Sequence, residues 1–163
     1  MTPEQSFAQA IATARQPIDA FAALDRLTQE LLGAKLFTVT TVEENGALAR
    51  RSYSNMPAAY PTSGTKRVDP SRWNNIVLER HESFVANTLA DIATVFPDHE
   101  LIGSLGLGSC INVPILVGGE VIATLNLLDA PGYFTPERVA LIAERLTLPA
   151  LAAQLAYDRL SAR

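Results

Sequence analysis

One thiol, two imidazoles and a pair of amides set into apolar strands are the groups in this 163-residue chain whose types and spacing could do chemistry. The thiol is Cys110, inside Ser109-Cys110-Ile111-Asn112-Val113-Pro114. A lone cysteine makes neither an internal disulfide nor a zinc site of four thiolates. Inside a predicted strand Cys110 is expected to be a buried, inert small residue. His81 lies in Glu79-Arg80-His81-Glu82 near a predicted helix C-terminus, where an imidazolium meets the dipole favourably. His99 lies in the charged turn Asp98-His99-Glu100. Both read as solvated. The sequence holds no cysteine pair, no histidine pair at helical spacing and no Asp-x-Asp run. Gly103-x-x-Gly106-x-Gly108 lacks the Lys-Ser/Thr ending of a phosphate loop and reads as a flexible connector. No catalytic residue, metal or cofactor is assigned.

The remaining pattern suits binding rather than catalysis. Tyr53, Tyr60, Trp73, Phe84 and Phe96 all precede the last predicted hairpin, in or beside an irregular stretch. Rings around a loop-rich segment either build a minor core or line a small-molecule pocket, with Cys110 beside them and Asn87, Asn112 and Asn126 as its polar groups. Asn112 and Asn126 interrupt otherwise apolar strands, and a buried amide must find partners. Their relation depends on register. A strict two-residue turn at Gly118-Gly119 pairs Val117 with Glu120 and turns the two amides to opposite faces. A three-residue loop or a bulge at Pro114 shifts the register by one and brings them to the same face, directly opposite each other in one of the shifted registers. The sequence leaves both registers open. Lys66 and Arg67 are solvated loop charges, or a clamp for an anionic ligand.

The elements that would position these groups can be read from periodicity. Residues 1–16 read as a short helix or an arm. Ile18, Phe21, Leu24, Leu27, Leu31 and Leu32 recur at helical spacing, so a helix spans about 18–33. Leu36 to Val42 is rich in β-branched and aromatic residues and reads as a strand. Asn45-Gly46 closes a tight hairpin to a return strand, Leu48 to Tyr53. Ser54 to Asp69 is a loop, and Asp69-Pro70 is expected to cap a helix ending near Arg80-His81. A strand at Phe84-Val85-Ala86 and two short helices, 89–95 and one turn through Ile102 capped by Asp98, follow. Ser109 to Leu116 and Glu120 to Leu128 form the clearest hairpin, and Thr135-Pro136-Glu137 opens the last helix. Pro149 is expected to kink it. Beyond the proline, Leu151, Leu155 and Leu160 continue an apolar stripe. The order gives an α+β fold, a central antiparallel sheet with terminal helices on one face and short helices and loops on the other. Residues 17–163 are expected to form one domain after the 1–16 segment.

Composition narrows the function further. Thirteen basic against 17 acidic residues leave a formal charge of −4, which offers no basic field for nucleic acid. No apolar run reaches membrane-spanning length. Met1-Thr2-Pro3-Glu4 lacks the basic start of a secretion signal, so a cytoplasmic protein is expected.

The hairpin Ser109 to Leu128, with its Val113-Pro114-Ile115 triplet, short Gly-bearing turn and apolar second strand, resembles the central hairpin of a GAF domain. Phe134-Thr135-Pro136-Glu137 fits the same family's entry into its last helix, and the resemblance covers about residues 17–160. It implies a pocket on one face of the sheet, roofed by the segment from about Ser54 to Gly108. It implies a sensory or regulatory module for a small molecule. The alternative it also implies is a ligand-free interaction module, a homodimer paired through its terminal helices, with signalling passed to a separate partner chain. The Asn-Lys…Phe-x3-Asp-Glu pattern of the family's cyclic-nucleotide sensors is missing. Cys110 lacks the adjacent histidine of bilin-binding relatives, and neither histidine is set as haem-binding relatives set theirs. Some relatives reduce free methionine sulfoxide with one thiolate that attacks sulfur and a second that resolves the product; this chain has one cysteine, in a strand where those reductases carry other residues, and a thiol-dependent reductase is the further alternative.

Overall fold

The computed structural model describes residues 1–62 and 64–163. The chain gathers into two compact units, residues 35–139 and residues 1–34 with 140–163.

The first of these units holds a six-stranded antiparallel sheet of order β3-β2-β1-β6-β5-β4. Its strands are β1 (Leu36–Glu43), β2 (Leu48–Ser54), β3 (Lys66–Arg67), β4 (Phe84–Ala86), β5 (Ser109–Val117) and β6 (Glu120–Asp129). The three central strands, β1, β6 and β5, carry the β-branched and aromatic runs that favour a pleated, buried surface. Pairing them places side chains in rows across the sheet. Leu36, Leu128 and Cys110 form one row, Thr38, Asn126 and Asn112 the next, and Thr40, Thr124 and Pro114 a third. All these side chains share one face. Phe37, Val39, Ile111, Val113, Leu125 and Leu127 alternate onto the other and are buried.

The connections depart from expectation in three places. The β1–β2 link is a one-turn 3-10 segment, Glu44–Gly46, with Glu44 and Asn45 in left-handed backbone at φ 51° and 55°. The loop expected from Ser54 to Asp69 contains β3, a two-residue edge strand whose pairing to Leu48 and Ala49 no hydrophobic pattern announces; position 63 lies outside the described residues. The helix expected from Asp69-Pro70 begins later. Ser71 is its cap, accepting from the Asn74 backbone N–H at 3.1 Å, and α3 (Arg72–Asn74) widens at once into a π-helical turn, Asn75–Glu79. His81 closes it in left-handed backbone at φ 58°.

Between β4 and β5 lie α4 (Leu89–Ala93), capped by Thr88, and α5 (His99–Ser104). Gly103-x-x-Gly106-x-Gly108 is no loose hinge. Gly108 donates its N–H to the Asp129 carbonyl at 2.8 Å, and a Cβ there would collide with the Pro131 ring. Beneath this segment Leu36, Val77, Phe84, Ile92, Ile102 and Leu128 are part of one buried apolar cluster.

The second unit is helical: α1 (Pro3–Thr13), α2 (Pro17–Leu31) and α7 (Thr147–Ser161), with the C-terminal half of α6 (Pro136–Arg145). Thr2 and Gln5 form a capping box on α1. Phe21 of α2 stacks on Tyr157 of α7 with ring centroids 4.7 Å apart. Glu4 pairs with Arg145. The kink expected at Pro149 falls earlier, as a 46° bend between α6 and α7. Pro149 cannot donate to the Arg145 carbonyl, so helical bonding lapses there and restarts with the proline in the first turn of α7. Among the described residues no single helix is long and apolar enough to cross a membrane.

Candidate functional site

The site is built on the sheet face that carries Thr38, Asn112 and Asn126. Two irregularities of pairing set it up. At the β5–β6 turn, Gly118 and Gly119 take φ of 61° and 81°, and Val117 pairs with Glu120 as a strict two-residue turn requires. One pair later the register shifts. Leu116 faces Val121, Ile115 faces Ala123, and Ile122 is the extra residue of a bulge. From there outward the strands run in the shifted register, and Asn112 faces Asn126. The shift arises at Ile122, not at Pro114 and not from a longer loop.

A second bulge lies in β2. Val39 pairs with Tyr53 but Thr40 pairs with Arg51, which leaves Ser52 as the extra residue. Unbulged pairing would bring Ser52 beside Thr40 and turn Arg51 away. The bulge instead sets Arg51 on the same face as Thr40 and the two asparagines.

The amides close a hydrogen-bonded row across three strands. Trp73 Nε1 donates to Asn112 Oδ1 at 2.9 Å, and Asn112 Nδ2 donates to Asn126 Oδ1 at 2.8 Å. Asn126 Nδ2 donates in turn to Thr38 Oγ1 at 3.2 Å and Thr40 Oγ1 at 3.1 Å. Among the described residues no buried side-chain polar atom lacks a partner. The row is thus a satisfied polar floor in an otherwise apolar sheet.

Above this floor is a cavity of about 290 Å³. Leu36, Leu128, Ile102, Val95, Phe96 and Cys110 supply its apolar lining. Arg51, Tyr60, Ser71, Trp73 and Asp98 line it as well and bring polar and charged groups. Tyr60 ties the roof together. Its hydroxyl donates to Asp98 Oδ2 at 2.8 Å, and the Arg51 guanidinium carbon lies 4.9 Å from its ring centroid. Arg51 Nη1 also donates to the Pro61 carbonyl at 3.1 Å. Burial first, and then the Asp98 carboxylate beside it, push the Tyr60 hydroxyl well above the usual phenol range. Asp98 was expected to cap α5; its side chain makes no cap bond, and takes the Tyr60 proton donor instead.

Of the nine residues expected at a pocket, Tyr60, Trp73, Phe96, Cys110, Asn112 and Asn126 line this cavity. Tyr53, Phe84 and Asn87 do not. Tyr53 pairs with Val39 on the opposite face, edge-on to Phe37 at 5.6 Å. Phe84 is buried behind the lining, edge-on to Phe96 at 6.1 Å. Asn87 clamps the segment before α6: its Oδ1 accepts from the Phe134 N–H and its Nδ2 donates to the Phe134 carbonyl, both at 3.0 Å. Lys66 and Arg67 are exposed on β3 and absent from the lining. Arg51 and Asp98 are the charged lining residues that sequence reasoning missed. Arg51 gave one signal, an arginine pair on a strand, but its direction depends on the Ser52 bulge.

Cys110 is fully buried, and burial pushes its thiol up to about 12. A thiolate nucleophile is unavailable there at neutral pH. His81 and His99 stand outside the cavity; His99 Nδ1 lies 3.2 Å from the Phe96 carbonyl. Among the described residues no three His, Cys, Asp or Glu side chains are grouped to hold a metal ion.

A GAF domain family model matches residues 22–152. No protein of curated function matches the sequence. Several solved structures share the fold. The GAF domain of a phosphoenolpyruvate-protein phosphotransferase from Coxiella burnetii superposes with a TM-score of 0.74 at 17% identity, over 98% of this chain and 94% of that one. The GAF domain/HD domain protein from Geobacter sulfurreducens gives 0.70 at 12% identity, over 94% and 99%. The GAF domain of a two-component sensor histidine kinase from Bacillus halodurans gives 0.69 at 14% identity, over 91% and 98%.

Proposed function

The chain belongs to the GAF domain family, and from that premise we propose that it is a small-molecule-binding sensory module whose ligand occupies the cavity between the sheet and the 54–108 segment. The row Trp73–Asn112–Asn126–Thr38/Thr40 carries this reading. Burying an amide costs free energy unless it is hydrogen-bonded, and apolar residues at these positions would need no such network. Here the amides floor an open cavity, beside an arginine and an aspartate. That combination of apolar walls and a few oriented polar groups is what a small-molecule site requires. The fully buried thiol favours a binding role over a thiol-dependent enzyme.

Native mass spectrometry of the purified protein tests the reading, followed by a thermal-shift screen of small metabolites. Extra mass lost on denaturation, or a stabilising compound whose effect vanishes in Trp73→Ala, is the expected result. Stabilisation that Trp73→Ala leaves unchanged overturns the pocket assignment.

A second reading, compatible with the first, is self-association through the terminal helices. Leu148 and Leu155 lie seven residues apart on one face of α7 and are 72% and 49% exposed. Ile18 at the start of α2 is 44% exposed. A sensory domain of this kind would act in the cytoplasm and pass its signal through dimer geometry to a separate partner.

A further inference from the structure

We infer that the ligand is a small zwitterion with an apolar body, an amino acid whose carboxylate meets Arg51 and whose ammonium meets Asp98. This rests on the pocket reading above and narrows it to a chemical class.

Three observations converge. The first is size. A cavity of about 290 Å³ holds roughly ten waters at ~30 Å³ each, hence a ligand of about ten non-hydrogen atoms. A mononucleotide has roughly twice that many non-hydrogen atoms and a tetrapyrrole roughly four times as many.

The second is charge. Arg51 is turned onto the cavity face by the Ser52 bulge, and the hydrogen bond described for its guanidinium goes to the Pro61 carbonyl. A guanidinium has five donors in a planar fork that matches a carboxylate. Among the described residues no carboxylate pairs with it. Asp98 lines the same cavity, its carboxylate accepting from the neutral Tyr60 hydroxyl, and no cation pairs with it among the described residues. One unpaired charge of each sign, with Tyr60 touching both, fits a net-neutral ligand that carries both charges. A phosphate or a dicarboxylate would set its second negative charge against Asp98 with no further cation lining the cavity.

The third is the apolar lining. Leu36, Val95, Phe96, Ile102 and Leu128 offer contacts for a hydrocarbon side chain. The floor amides are already satisfied by one another. No polar atom of the floor needs a ligand to satisfy it, so the contacts left to hold the body are chiefly these apolar ones and the body expected is apolar.

The test is calorimetric titration of the whole protein with L-leucine and L-phenylalanine. Each is compared with its deaminated acid and its decarboxylated amine, 4-methylpentanoate and 3-methylbutylamine in the case of leucine. The zwitterion is expected to bind at least tenfold tighter than either analogue. Arg51→Gln should weaken the zwitterion and the acid but leave the amine unaffected. Asp98→Asn, which keeps an acceptor for Tyr60, should weaken the zwitterion and the amine but leave the acid unaffected. Circular dichroism and the thermal midpoint of each variant establish that it is folded. Equal binding of the zwitterion and its analogues overturns the inference, as does binding indifferent to both variants. No binding of either amino acid, alongside a metabolite of another class whose binding is lost in Trp73→Ala, overturns the zwitterion while the pocket stands. If no compound in the screen depends on Trp73, the pocket reading fails, and this inference with it.

Discussion

Asn112 and Asn126 meet amide to amide at 2.8 Å across β5 and β6, although the tight Gly118-Gly119 turn that joins these strands would by itself place them on opposite faces. Ile122 resolves the contradiction as the extra residue of a bulge. Beyond Ile122 every β6 side chain sits on the face opposite to the one strict pairing would give it.

Removing both amides should therefore cost less than the sum of removing each alone. Asn126→Leu strands Asn112 Nδ2 and takes the donor from the Thr38 and Thr40 hydroxyls. Each buried polar group left unpaired costs about 1–3 kcal/mol. Asn112→Leu similarly strands Trp73 Nε1 and Asn126 Oδ1. In the double variant the lost Asn112–Asn126 bond is counted once, so its cost should fall below the sum of the two single costs by roughly 1 kcal/mol or more. Urea denaturation of the four proteins in this cycle measures the difference; strict additivity would mean that the amides are not coupled.

Alkaline pH should weaken the fold from about pH 9 upward. The Cys110 thiol ionises near 9.0 when unfolded and near about 12 when folded, because burial disfavours its thiolate. Below pH 9 it is protonated in both states and its contribution is intact. Between those values the unfolded chain releases a proton that the folded chain keeps, so stability falls by up to ~1.4 kcal/mol per pH unit from this group. Tyr60 adds to the loss above pH 10, since burial and Asp98 raise its folded value too. Urea midpoints at pH 7, 9 and 10.5 follow the decline. Cys110→Ala should flatten its first part, and Tyr60→Phe its upper part. At pH 8 the native thiol should resist iodoacetamide and react only once urea unfolds the chain.

The sheet was readable from the sequence because its strands alternate and its turns are marked by Asn45-Gly46 and Gly118-Gly119. The cavity was readable in part. Rings and amides within an irregular stretch pointed to Trp73, Tyr60, Asn112 and Asn126. Much of what stayed hidden traces to two single-residue bulges and one edge strand. A bulge at Ser52 or Ile122 leaves composition and periodicity almost unchanged, yet it reverses which side chains meet. Arg51 could not be placed in the cavity, nor Tyr53 out of it, without that knowledge. Asp98 was misread for another reason. An aspartate before a helix is a good cap by type, and only the fold shows that a tyrosine 38 residues earlier takes its carboxylate instead.

Self-association, if it runs through α7, should yield to charge. Leu148→Glu with Leu155→Glu places two carboxylates on an exposed apolar face and removes no buried contact of note. Stability should change by about 0.5 kcal/mol or less per site, while sedimentation equilibrium should show a dimer becoming a monomer. A wild-type protein that is monomeric at every concentration would retire the dimer reading and leave the cavity reading untouched.

Trp73 offers a direct view of the cavity, because it is the chain's one tryptophan and its indole both lines the recess and donates to Asn112. The side chain is half-buried, so acrylamide should quench its emission partially in the free protein and fully in urea. A ligand of about ten heavy atoms seated on the Asn112–Asn126 floor would cover the exposed part of the ring. Quenching should then drop towards that of a buried indole as ligand is added, with a midpoint equal to the calorimetric Kd. Asn112→Leu removes the indole's acceptor, and the emission of this variant should shift even without ligand as the ring loses its anchor. Calorimetric binding with no change in Trp73 quenching would move the binding site away from this face of the sheet.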